Sequence, residues 1–110
     1  MNFDDYQDAT ERTAIYPDEI PEWLDPELVY LALGISGEAG EVAEKVKKAI
    51  REDDEVYMVE AIDECGDLLW YLARFLDEQN QPMSEVAAQN MDKLLDRQAR
   101  DQLTGQGDDR

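Results

Sequence analysis

Two long segments of this chain, residues 26–51 and 55–79, repeat apolar residues every three or four positions, and each carries a pair of carboxylates inside that apolar pattern. Helical positions advance about 100° each, so such a spacing gathers residues onto one face. On the second segment, Glu60, Glu64 and Asp67 fall on a stripe with Tyr57, Leu68, Tyr71 and Phe75. Beside it runs a second stripe of Met58, Ile62, Cys65, Leu69, Leu72 and Leu76. Together they make this helix apolar around more than half of its circumference, whereas a surface helix needs only about a third. The helix should therefore be covered on more than one side, with its acids embedded and Cys65 buried as a structural thiol. A chain of 110 residues has little else to cover it with, so a dimer or tetramer is expected. On the first segment, Glu38 and Glu41 share a face with Leu31, Ile35, Val42 and Ala49.

The punctuation around these segments completes an all-α reading. A short first helix is expected over residues 2–15, with Phe3, Tyr6, Ala9 and Thr13 on one face, stopped by Tyr16-Pro17. A loop follows, which Trp23 and Leu24 should pin to the body. Asp25-Pro26 supplies an N-cap and a first-turn proline for the second helix, whose final turns carry Lys45, Lys47, Lys48 and Arg51. Asp53 and Asp54 can cap the third helix. Asn80-Gln81-Pro82 breaks it, and Ser84 can cap a fourth running to about Leu103. No strand-type alternation competes. The reading is a four-helix-type bundle in one domain over residues 1–104, with a polar tail at 105–110.

Twenty-eight Asp and Glu against ten Lys and Arg give a net charge of −18. That surface repels nucleic-acid backbones and excludes duplex binding. It suits a high-salt cytoplasm or serves simple solubility. No apolar run reaches the ~20 residues that span a bilayer, and the chain opens on no leader-like segment, so a cytoplasmic protein without membrane contact is expected.

Four carboxylates on facing helices cannot all ionise without compensation, because like charges in a partly buried site repel. Either Lys45 and Lys48 pair with them or a cation binds between them. All-oxygen ligands favour Mg²⁺ or Mn²⁺, and a chain without histidine does not suggest zinc. Gly34, Gly37 and Gly40 interrupt the second helix, each at a cost of roughly 1 kcal/mol. Close helix packing and close approach of a ligand to the backbone both account for them.

The strings LGISGEAGEVAEKVKKAI (33–50) and ECGDLLWYLA (64–73) resemble the MazG-like nucleotide pyrophosphohydrolases, of the all-alpha NTP pyrophosphatase superfamily. NFDDYQDATERTAIYP at the start, NMDKLLDR (90–97) and the terminal GQGDDR extend the resemblance along nearly the whole chain. It implies a helical core completed by oligomerisation, and Mg²⁺ held by Glu38, Glu41, Glu64 and Asp67. It also implies hydrolysis of a nucleoside triphosphate between the α and β phosphates. Asn90 and Lys93 match the family's N-x-x-K, where nucleotide contacts are expected, with Arg97 assisting. Glu38 or Glu41 would serve as general base. Lys45 and Lys48 either hold phosphate oxygens or complement the helix end, and Tyr71 and Trp70 either stack a base or fill the core. Some members carry a further acid where this chain has Gly37, which leaves metal stoichiometry and the base open. Two other readings keep the fold: a dUTP- or dCTP-specific enzyme, and a non-catalytic helical dimer that binds nucleotide or a protein partner.

Overall fold

The computed structural model describes residues 1–100, and every regular element among them is helical. Helix α1 spans Phe3–Thr10 and continues into a 3₁₀ turn at Glu11–Thr13. Helices α2 (Pro26–Glu52), α3 (Val56–Glu78) and α4 (Met83–Ala99) follow. The all-α expectation holds. Its polar tail at 105–110 and the end of the fourth helix at Leu103 lie outside the described residues.

Local chemistry sets the helix ends. The Asp25 carboxylate accepts from the Glu27 backbone N–H at 2.9 Å, with Pro26 in the first turn, as anticipated. The two aspartates before α3 divide the work. Asp53 takes a left-handed conformation (φ 48°) that ends α2, and Asp54 accepts from the Val56 N–H at 3.0 Å. Asn80 ends α3 in the same way, at φ 56°, with the Gln81 N–H donating to the Leu76 carbonyl. The cap expected from Ser84 is not made: α4 begins two residues earlier than that cap requires, after Pro82, and no side chain caps it. Proline's restricted φ suits the extended conformation that precedes a helix, so the turn does not need the serine.

The three-residue connection 53–55 folds α2 and α3 into an antiparallel pair, which carries nearly all the tertiary packing. Tyr57, Leu68, Tyr71 and Phe75 of α3 are half-buried towards α2, and Leu31, Ile35, Val42 and Ala49 answer from α2. Around this hairpin the chain is open. Among the described residues helix α1 packs on nothing beyond its own 3₁₀ turn, while α4 makes a small contact with α3 and none with α2. The radius of gyration is 19.6 Å, against about 13 Å for a compact domain of 100 residues. The described residues do not close a bundle within one chain.

The second stripe of α3 shows what this openness costs. Ile62 is 70% exposed and Leu69 56%, and Cys65 is exposed with them. The expectation of a buried thiol is therefore corrected: Cys65 lies on the face of α3 turned away from α2, and nothing among the described residues covers that face. Trp23 does not pin the loop either. It is 84% exposed, and Leu24 alone of the pair is half-buried. Among the described residues Leu31 and Ala61 are the only buried apolar side chains. No helix there is long and apolar enough to cross a membrane.

Candidate functional site

The register of the hairpin decides which acids meet. Gly34 lies against Tyr71, and Lys45 pairs with Glu60 at 3.5 Å. Between these points each step forward along α2 is matched by a step back along α3, which sets Glu38 and Glu41 opposite Asp67 and Glu64. Carboxylate oxygens of Glu38, Glu64 and Asp67 all come within 4.8 Å of one another. Glu38 and Glu64 are half-buried, and Asp67 is exposed. Glu41 is exposed and stands outside this trio, although its charge is felt at Glu64. The expectation of four embedded acids is thus half right. Helical spacing puts the second acid of each pair at the solvent edge of a two-helix groove.

The electrostatics record an uncompensated site. Loss of hydration holds the Glu64 carboxyl above its ordinary value. A hydrogen bond to Glu38, and the charges of Glu38, Asp67 and Glu41, push in the same direction. Among the described residues no lysine or arginine forms an ion pair with any of the four acids: Lys45 turns to Glu60, and Lys47 to Glu44. Of the two forms of compensation open to the sequence, pairing with lysines is not the one used. Three oxygen donors converging without a counter-charge fit a hard divalent cation such as Mg²⁺ or Mn²⁺, and Glu38, Glu64 and Asp67 are the residues that would hold it.

Beside the acids, Glu38, Asp67, Trp70 and Tyr71 line a hollow of about 430 Å³. Tyr71 is its wall. The ring stands edge-on to Trp70 at 5.1 Å and tilted to Tyr30 at 6.4 Å, and its flank lies on Gly34. A hydrogen bond with the Tyr30 hydroxyl, more than its other surroundings, holds the Tyr71 phenol above its ordinary value, so it remains a neutral donor. Gly34 is therefore explained by close packing. Gly37 and Gly40 are not, because an added Cβ at either meets nothing within 4 Å.

The remaining sequence-predicted residues fall into two groups. Lys45 and Lys48 are half-buried on α2, one and two turns beyond Glu41, on the same hairpin as the acids. Asn90, Lys93 and Arg97 are on α4. Asn90 and Lys93 line a separate hollow of about 320 Å³ with Val86 and Gln89, and Arg97 is buried. Among the described residues α4 makes only a small contact with α3 and none with α2, so helix packing does not set these three beside Glu38 and Glu41. Sequence reasoning passed over Tyr30. Its position eight residues before Glu38, on the same side of α2, is the signal that could have found it.

An all-helical chain with a cation-ready acidic centre on an antiparallel helix pair is the class that fold and site define. Residues 28–100 match the MazG nucleotide pyrophosphohydrolase domain, and the chain belongs to that family. The Gene 37 protein of Mycobacterium phage L5 is 40% identical over 114 aligned residues, covering 100% of both chains. No solved structure matches.

Proposed function

We propose that this protein is a Mg²⁺-dependent nucleoside triphosphate pyrophosphohydrolase, active in the cytoplasm, that converts (d)NTP to (d)NMP and pyrophosphate. The observation that carries this reading is the meeting of Glu38, Glu64 and Asp67 with no ion pair to a lysine or arginine among the described residues. Mg²⁺, or Mn²⁺ in its place, would supply charge neutralisation for the triphosphate and a lowered pKa for water. Glu38, Glu64 and Asp67 would hold it. Glu41, outside the trio and exposed to solvent, is the group left to take a proton from the attacking water. Water oxygen bonds to the α phosphorus, the bond to the bridging α–β oxygen breaks, and pyrophosphate leaves with the electron pair. Lys45 and Lys48 face the β and γ phosphates as point charges. Tyr71 donates from its neutral hydroxyl at the opposite side of the acids.

The same reading requires a second copy of the chain. Asn90, Lys93 and Arg97 reach a nucleotide at the carboxylates where α4 of one protomer packs against the hairpin of another, since α4 makes no contact with α2 of its own chain among the described residues. The uncovered stripe of Met58, Ile62, Cys65 and Leu69 supports such packing, because an apolar surface of that extent is unfavourable in water. A dimer or a tetramer satisfies both demands.

Incubation with each NTP and dNTP plus Mg²⁺, with monophosphate and pyrophosphate as the readout, tests the reaction. Turnover should be lost in Asp67→Asn and Glu41→Gln. A wild-type protein that binds nucleotide and releases no pyrophosphate would leave a non-catalytic nucleotide-binding dimer in its place. Turnover confined to dUTP or dCTP would narrow the enzyme to a specialist.

A further inference from the structure

The acidic hollow does not end at Tyr71. Trp70 is shared with a second hollow of about 260 Å³, whose other walls are Glu27, Tyr30, Leu31, Arg74 and Glu78. Together the two fall within the ~300–1,000 Å³ that holds small organic ligands. The second one has a distinct chemistry. Tyr30 is 66% exposed and Trp70 56%, so two aromatic side chains stand open to an incoming group while each also contacts the Tyr71 ring. At the far end the Arg74 guanidinium is held by Asp77 at 3.1 Å and Glu78 at 3.5 Å, so it is anchored and partly exposed.

The order of these groups along the hairpin gives the site a polarity. Lysines 45 and 48 stand on one side of the carboxylates, and the aromatic residues and Arg74 stand on the other. At 1.5 Å per helical residue, Lys45 is roughly 10 Å from Glu38 along the axis of α2, and Tyr30 is roughly 12 Å away in the opposite direction. A nucleoside triphosphate has the same order: negative phosphates, then a sugar, then a flat base with hydrogen-bonding edges.

We infer that the hollow between Tyr30, Trp70 and Arg74 is the nucleobase subsite, with Tyr30 and Trp70 as stacking faces and Arg74 as the group that reads the base edge. This rests on the reading of the site as one for nucleotides, and it adds the direction in which the nucleotide lies. Base–aromatic stacking tolerates any base, because every base has a π face. Selectivity therefore falls to Arg74. Its fork donates only, so it favours an edge with two adjacent acceptors, as guanine offers.

The full chain with Trp23→Phe gives a clean reporter, since Trp70 is then the only tryptophan and Trp23 lies in neither hollow. Trp70 fluorescence is titrated with AMP, GMP, CMP and UMP, and with ribose 5-phosphate as the baseless control. All four monophosphates should quench it, and ribose 5-phosphate should not. Tyr30→Ala should weaken monophosphate binding roughly ten-fold and leave ribose 5-phosphate unchanged, while Tyr30→Phe, which keeps the ring, should bind as the parent. Arg74→Ala should level the ranking among the four bases, and Arg74→Lys, which keeps the charge without the fork, should not restore it. Quenching by ribose 5-phosphate equal to that by the monophosphates, or no quenching by any of them, overturns the assignment. So does Tyr30→Ala binding as well as Tyr30→Phe. None of these readouts needs turnover. A protein that releases no pyrophosphate but passes them loses the proposed reaction and keeps the subsite.

Discussion

Gly34→Ala is the substitution on which local and tertiary physics disagree most sharply. In an isolated helix alanine is better than glycine by about 1 kcal/mol, so by local propensity alone the change should stabilise α2. In the folded chain the new Cβ would fall on the ring of Tyr71, 2.7 Å from its Cζ and closer still to two other ring carbons. Real Cβ atoms do not come so close. Tyr71 cannot swing clear without leaving the edge-on contact with Trp70 and the tilted contact with Tyr30. Overpacking of this kind costs about 1–3 kcal/mol, and a displaced aromatic pair adds about 0.5–1.5 kcal/mol. Set against the helical gain, the net destabilisation is about 2 kcal/mol, or roughly 10 °C in Tm for a domain of this size. Thermal and urea unfolding followed by circular dichroism would measure it. Gly37→Ala is the internal control, because its Cβ meets nothing within 4 Å and only the propensity term applies. Adding Tyr71→Ala should turn the effect of Gly34→Ala from destabilising to stabilising, since the obstructing ring is gone. If Gly34→Ala raises Tm as much as Gly37→Ala does, the register of α2 against α3 is wrong, and with it the meeting of the acids.

Other consequences are open to measurement. The folded chain holds Glu64 above its ordinary value of 4.5, so it binds a proton more readily than the unfolded chain. The metal-free protein should therefore gain stability as pH falls through the folded value towards 4.5 and level off below, and Glu64→Gln should remove that share of the gain. Magnesium should raise Tm at neutral pH through a stabilisation that reaches ~2.7 kcal/mol at one hundred times its Kd, and the increment should shrink on acidification as protons compete for Glu64. Asp67→Asn should lose the increment, and a wild-type Tm indifferent to Mg²⁺ and Mn²⁺ would remove the metal reading. Ile62→Glu places a charge on the uncovered stripe without touching the α2–α3 interface. Sedimentation should show dissociation to monomer with helicity preserved. A wild-type protein that already sediments as a stable monomer would refute the need for a second copy.

Legibility differed from element to element. Helix α2 was readable at both ends, because Asp25-Pro26 and the basic last turns are local signals acting on their own backbone. Ser84 misled, because a cap is made only where the chain turns, and Pro82 turned it earlier. Cys65 and Ile62 have the composition of a core stripe, yet their faces are bare, since periodicity reports that a face is apolar and says nothing of what covers it.

The carboxylates divide in the same way. Spacing alone determined that Glu38 and Glu41 share one helical face and Glu64 and Asp67 another, because 3.6 residues per turn leave no choice. Tertiary structure decided that Glu38, Glu64 and Asp67 converge while Glu41 stays at the edge, and that Tyr30 and Tyr71 meet across the hairpin. Those outcomes depend on the register between α2 and α3, which is set by a side chain as large as Tyr71 seating on a residue as small as Gly34. That contact joins positions thirty-seven residues apart in sequence, and local physical chemistry does not reach so far.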